Sequence, residues 1–247
     1  MIEILAKGVY WTPDENNYIF NDFLVTDMHP ANIDIANYLV KTSSDYYKDN
    51  LHSVYVRGTI LTEKELLQNS DKDFVIILND NNKFLKFVQE YDQFISILES
   101  SINFDVALYN NNNFDTLRKF QSKCIYGEDI SLNKLNFDYF SLEQKHINLI
   151  IKDIRNFLTT FEKTVLDNDK NSIEYLQKIC KRILRFAMLK VAQQVRKYSK
   201  DLYYCCVFYE QIYPSDGQIM FDVLNLYLNP LSYQKSILHK SMSSLLK

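Results

Sequence analysis

Two aspartates, Asp71 and Asp73, stand one residue apart at the entrance of an apolar run, in the stretch SDKDFVIIL. In an extended chain, residues two apart point to the same side, so these carboxylates project together while Lys72 points away. Carboxylates this close repel each other, and a cation between or above them relieves the repulsion. Oxygen ligands on a rigid strand suit magnesium, which takes one or two carboxylates and fills its shell with water and substrate phosphates. A third carboxylate, Asp105, lies inside NFDVAL, where Phe104 and Val106 face the opposite side. If that segment lies beside DFVIIL, Asp105 either completes the metal site or acts as general base on an attacking hydroxyl. Upstream, Gly58 ends the segment SVYVRG and lets backbone approach a phosphate closely. Thr59 adds a hydroxyl and an N–H near a loop or helix start. The plainer reading is a pair of solvated acids at a strand mouth.

Positioning these groups requires a small α/β unit. Pro30 is a good first helical residue, and Ile33, Ile35, Ala36, Leu39 and Val40 carry a helical spacing to about Tyr47. SVYVRG predicts a short strand ending at Gly58, and the unbroken apolar run of DFVIIL suits a buried central strand. Leu85, Val88, Tyr91, Phe94, Ile95 and Leu98 form a helical stripe between Asn82 and Ser100, and INFDVALYN then alternates as a strand. Ahead of the unit, Ile2 to Thr26 reads as one or two strands with turns.

After CIYGEDI the pattern changes. Ser141 with Gln144 matches a capping box that opens a helix to about Leu166. DNDKNS is a turn, a long helix follows from about Ser172 to Tyr198, and shorter helices break at Pro214 and Pro230. The expected fold class is α+β. An α/β domain with a small mixed sheet spans residues 1–140, and an all-helical bundle spans 141–247.

The ordered set of Gly58-Thr59 after a strand, Ser70-Asp71-Lys72-Asp73 entering an apolar strand, and Asp105 on a later strand resembles the nucleotidyltransferase superfamily with the polymerase-β-like fold. Within it, the chain looks like the aminoglycoside adenylyltransferase-like bacterial branch. The resemblance implies that 1–140 is the nucleotidyltransferase domain and that 141–247 helps to bind substrate and nucleotide. It implies that Gly58, Thr59 and Ser70 grip a nucleoside triphosphate, that Asp71 and Asp73 hold two magnesium ions, and that Asp105 binds metal or deprotonates the acceptor. The activity it implies is transfer of a nucleoside monophosphate, AMP from ATP, to an acceptor hydroxyl. A small aminoglycoside-like molecule is the first choice of acceptor. A protein or tRNA in a toxin–antitoxin or defence system is the alternative, and a non-catalytic nucleotide-binding module is the other; the complete acid set weighs against the latter. Two features depart from the family pattern. Thr59 replaces the commoner serine, and the loop ILTEKELLQN carries Glu63 and Glu65 in place of a second glycine and an arginine.

Bulk properties set the frame. The chain has 247 residues, 47% of them hydrophobic, enough for a substantial core. Its net charge of −3 argues against a dedicated nucleic-acid binder. Residues 141–247 hold 16 basic against 10 acidic side chains, and the remainder 12 against 21. That asymmetry suggests two domains and a cleft with metal on one wall and phosphate on the other. The apolar runs are far shorter than a membrane span, and MIEILAKGVYW lacks the plan of a signal peptide, so the expectation is a cytoplasmic protein without a membrane partner. Cys124, Cys180, Cys205 and Cys206 form no CxxC pattern and read as reduced thiols.

From Tyr175 to Lys200 there are eight basic residues and no acid. Lys178, Lys181, Arg182, Arg185 and Arg196 fall on one helical face, opposite a core stripe of Leu176, Cys180, Ile183, Leu184, Ala187, Val191 and Val195. The basic face is either solvated or in contact with triphosphate or acceptor, with Arg185 the first candidate and Lys200 the second. His29, His52, His146 and His239 are scattered and suit surface or capping roles. The tyrosines of LYYCCVFYEQIY read as packing groups, one of them a candidate to stack on a base. Glu128 and Asp129 in YGEDI either cap a turn or line the acceptor pocket.

Overall fold

A computed structural model describes residues 10–61, 72–79, 83–110, 112–164, 170–232 and 235–246. The first described strands are β1 (Tyr10–Trp11) and β2 (Tyr18–Phe20). They are followed by α1 (Pro30–Tyr47), β3 (Leu51–Arg57), β4 (Lys72–Leu78), α2 (Phe84–Gln89), α3 (Tyr91–Ser96), β5 (Phe104–Asn110), α4 (Thr116–Phe120), β6 (Ser122–Gly127) and β7 (Lys134–Asn136). The chain divides into two compact units. One is Phe20–Leu135, and the other joins the segment ending at Ile19 to Asn136–Lys247. The sequence places the division near residue 140 and the whole N-terminus in the first domain. The observed units part within β2 and β7 instead.

In the sheet unit, α1 starts where its sequence says it should. Pro30 takes the first turn, where its missing N–H costs nothing, and the His29 ring accepts from the Ala31 amide at 3.2 Å. Ala36, Leu39, Ser43 and Tyr47 fall on the buried side of the helix. The four-stranded sheet has the order β5-β4-β3-β6, with β4 and β5 parallel and the other two pairs antiparallel. It is the small mixed sheet the sequence implies. Val54, Val56, Phe74, Ile76, Leu78 and Val106 line the face that packs with Ala36 and Leu39 of α1 and Phe94 of α3. The opposite face carries a smaller cluster of Tyr55, Val75, Ile77 and Phe114.

The sequence readings need three corrections in this unit. The stripe from Asn82 to Ser100 is two short helices rather than one, because the backbone breaks at Glu90 between α2 and α3. β3 begins at Leu51, two residues earlier than SVYVRG indicates. β6, which carries CIYG, has no strand signature in the sequence; past the buried Ser122 its residues are half-buried or exposed, so it lacks the apolar run that marks β4.

In the helical unit, α5 (Gln144–Thr164), α6 (Lys170–Val195), α7 (Leu202–Ile212), α8 (Pro214–Leu228) and α9 (Lys235–Leu245) pack around the apolar side of α6. Ile179, Cys180, Ile183, Leu184, Ala187 and Val191 of α6 are fully buried. The predicted capping position shifts: α5 starts at Gln144, and it is the Glu143 carbonyl that accepts from His146 at 2.9 Å, while Ser141 ends a preceding 3-10 turn. The unit is not purely helical either. A two-residue strand, β8 (Tyr198–Ser199), pairs antiparallel with β1, Tyr10 opposite Ser199 and Trp11 opposite Tyr198. Trp11 stacks on Tyr198 at 6.0 Å, and Tyr198 stacks on Phe140 at 3.9 Å. Asp201 then caps α7 by accepting from the Tyr203 amide at 2.8 Å. Among the described residues no helix is long and apolar enough to cross a membrane.

Candidate functional site

The parallel register of β4 and β5 sets Asp73 directly beside Asp105. Residues in register on neighbouring strands share a face, so the two carboxylates project to the same side. That side is the one with Val75, Ile77, Ala107 and Tyr109, opposite the face packed with α1 and α3. Asp73 is half-buried and Asp105 is exposed. Lys72 points to the other face and is buried there at 4% exposure, with its amide donating to the Asn103 carbonyl at 2.8 Å. Asp71 and Ser70 lie outside the described residues, as do Glu63 and Glu65.

Gly58 closes the other side of Asp73. It opens a 3-10 turn, Gly58–Leu61, that contains Thr59, and it holds φ +72°, a region that L side chains rarely occupy. A Cβ on this residue would stand 2.2 Å from Asp73 Oδ2 and 3.1 Å from its carboxyl carbon. The bare backbone that the sequence assigns to phosphate approach therefore also makes room for the Asp73 carboxylate. Asp105 has its own neighbour in Tyr91 of α3, whose hydroxyl donates to the Val106 carbonyl. Burial first, and the charge of Asp105 second, hold the Tyr91 phenol above its ordinary pKa.

Farther along the same sheet face, Tyr55 fixes the segment after β6. Its hydroxyl donates to the Glu128 carbonyl at 3.0 Å and accepts from the Ile130 amide at 2.8 Å. Burial pushes the Tyr55 phenol up to about 12. Glu128 pairs with His52 at 3.3 Å, and the Asp129 carboxylate accepts from the Ser131 amide at 2.8 Å, which is turn-stabilising work.

The sheet also aligns two residues that the sequence reading passed over. β3 and β6 pair Arg57 with Ser122, and the β3–β4 register, Val56 opposite Phe74, carries on by one step to set Arg57 opposite Asp73. One end of the sheet thus bears the row Asp105, Asp73, Arg57, Ser122 on a single face. Arg57 stands next to Gly58 in sequence, but its place in the row depends on the pairing of β3 with β6, a strand without a strong sequence signature.

Arg185 and Lys200 belong to the helical unit. Arg185 is exposed on α6 and Lys200 is half-buried after β8. Most of the basic residues around them are engaged with aromatic rings or carbonyls. Lys181 lies over Tyr227 at 5.4 Å, and Arg182 lies over Phe157 at 4.0 Å and pairs with Asp153. Lys190 donates to the Leu245 carbonyl at 2.9 Å and lies over Tyr213, and Lys197 lies over Tyr10 at 5.0 Å. Arg196, past the end of α6 at φ +53°, donates to Asn17 at 2.7 Å. Lys178 and Arg185 have no hydrogen bond or ion pair among the described residues. All four cysteines are free thiols, and burial pushes those of Cys180 and Cys205 up to about 12, Arg185 pulling Cys205 the other way.

Among the described residues no group of three or more His, Cys, Asp or Glu side chains is placed to hold a metal ion. The adjacent pair Asp73–Asp105 offers oxygen donors of the kind magnesium takes, an ion that fills its other positions with water and substrate phosphates.

The class this architecture defines is an α+β chain in which a small mixed sheet unit is combined with a helical one. Among solved structures the chain is similar to spectinomycin adenyltransferase AAD(9) from Enterococcus faecialis, solved with ATP and spectinomycin, at 13% sequence identity, over 87% of this chain and 99% of that one, with a TM-score of 0.44. No protein-family model and no curated protein matches the chain.

Proposed function

We propose that the chain is a magnesium-dependent nucleotidyltransferase that moves AMP from ATP onto a hydroxyl of a small acceptor. The observation that carries this reading is the pairing of Asp73 with Asp105 on one sheet face, with Gly58 backed against the Asp73 carboxylate. Asp71, Asp73 and Asp105 would hold the magnesium, two ions in all, which when bound neutralises phosphate charge and polarises the α-phosphorus. Asp105 is exposed, so an acceptor can reach it, and it takes the proton of the acceptor hydroxyl at a carboxylate oxygen. The hydroxyl oxygen then bonds to the α-phosphorus in line, the bond from that phosphorus to the bridging oxygen breaks, and pyrophosphate leaves. Gly58, Thr59 and Ser70 would position the triphosphate.

A small acceptor is favoured over tRNA because several basic side chains around α6 lie over the protein's own rings or donate to its own oxygens. Thermal unfolding with ATP, with and without magnesium, tests the reading. ATP and magnesium together should raise the midpoint, and Asp73→Ala should abolish the rise; at a hundredfold excess over Kd the stabilisation is about 2.7 kcal/mol. An Asp73→Ala protein that binds magnesium–ATP as well as the parent would sink the assignment.

A further inference from the structure

We infer that Arg57 and Ser122 form an anion subsite continuous with the carboxylate row, one that takes a phosphate group of the nucleotide on the side of Asp73 away from Asp105. The inference rests on reading that row as the nucleotide site, and it adds two residues the sequence motif does not contain. Three observations carry it. Arg57 and Ser122 are register partners on neighbouring strands and share the face of Asp73 and Asp105. Arg57 is half-buried, and among the described residues its guanidinium has neither an ion pair nor a hydrogen bond. Ser122 is 0% exposed, and its Oγ is buried without a hydrogen-bond partner.

A permanently charged guanidinium in line with two carboxylates, yet paired with neither, is suited to an outside anion. Its planar fork matches the oxygens of a phosphate, and the Ser122 hydroxyl beside it can donate one more hydrogen bond. A buried hydroxyl without a partner is unfavourable, so a ligand oxygen that accepts from it gains binding at that point. The row also needs a cation. Two carboxylates alone repel a polyphosphate, and Arg57 offsets that repulsion from inside the sheet. Neighbouring strands are about 4.8 Å apart, so Asp73 and Ser122 are roughly 10 Å apart across the row, a span that one triphosphate tail can bridge.

The test is titration calorimetry of the full chain with sodium tripolyphosphate, no divalent metal present. The parent should bind it. Arg57→Ala should weaken binding by tenfold or more, Arg57→Lys by less, because an ammonium keeps the charge but loses the fork, and Ser122→Ala by about threefold. Asp105→Asn should bind tripolyphosphate at least as tightly as the parent, since it removes a repelling charge. Lys41→Ala, on the exposed side of α1, should change nothing. Circular dichroism checks each fold, and Arg57→Gln replaces Arg57→Ala if that variant fails to fold. Equal affinities for the Arg57 variants and the parent, or equal losses in the Arg57 and Lys41 variants, overturn the subsite. The two readings fail separately: magnesium–ATP binding that survives Asp73→Ala removes the proposed function, while tripolyphosphate binding indifferent to Arg57 removes only this subsite.

Discussion

Asp73 stands among three different positions: Gly58, where an added Cβ would meet its carboxylate, Asp105 in register on β5, and Arg57, one step past the last β3–β4 pair. A substitution at Gly58 therefore acts twice. Gly58→Ala forces an L side chain to φ +72°, costing about 1–2 kcal/mol of stability, and pushes its Cβ into the Asp73 carboxylate. The expected result is a lower melting midpoint together with a weaker magnesium–ATP shift, read in one thermal-unfolding series. Asp105 behaves differently because it is exposed and sits at the outer end of the row. Asp105→Asn should keep the fold and bind nucleotide while slowing pyrophosphate release by about a hundredfold or more, the range expected for loss of a general base. A comparable loss of nucleotide binding and of turnover would instead make Asp105 a metal ligand only.

Along α6, cations that look equivalent in sequence have unequal roles. Arg182 spans to α5 through Asp153 and covers the Phe157 ring, so Arg182→Ala should lower stability by about 1 kcal/mol in a urea melt. Arg185 has no hydrogen bond or ion pair among the described residues; Arg185→Ala should leave stability within about 0.5 kcal/mol and appear only in nucleotide or acceptor affinity. The apolar side of the same helix carries a pH signature. Burial raises the Cys180 thiol from 9.0, and Cys205 and Cys206 of α7 are raised likewise. The unfolded chain therefore loses these protons first. Stability from them is complete below about pH 9 and declines as pH rises toward the folded values, and thermal melts from pH 7 to pH 11 should show it. The helices and the two acid-bearing strands were legible because burial writes itself into period and run length: FVIIL is apolar throughout, and Leu176 to Val191 repeats at helical spacing. β6 was not legible, since SKCIYG is half-exposed and polar at its start, and without β6 the pairing of Arg57 with Ser122 has no trace in the sequence. Gly58 was found for its neighbours in the motif, but its contact with Asp73 exists only once β3 and β4 are laid side by side.

At the scale of the whole chain, the sheet unit is an insertion between two parts of the helical unit, with β1 and β8 as the seam that closes the latter. Trp11 is the single tryptophan of the sequence, and it lies in that seam against Tyr198. Its fluorescence therefore reports on the helical unit, whereas the carboxylate row belongs to the sheet unit. Trp11→Ala should destabilise the helical unit by about 0.5–1.5 kcal/mol beyond the lost buried area, measured by circular dichroism in urea. The seam also has a meaning for biosynthesis. The strand at Tyr10–Trp11 leaves the ribosome roughly 190 residues before its partner, a wait of about 10–40 s at about 5–20 residues per second. During that interval the sheet unit, whose last residue is Leu135, is already outside in full. The nascent chain thus has the carboxylate row assembled while the aromatic side of its first described strand is still without a mate, and a holding chaperone would find its target in that early segment rather than in the unit that bears the row.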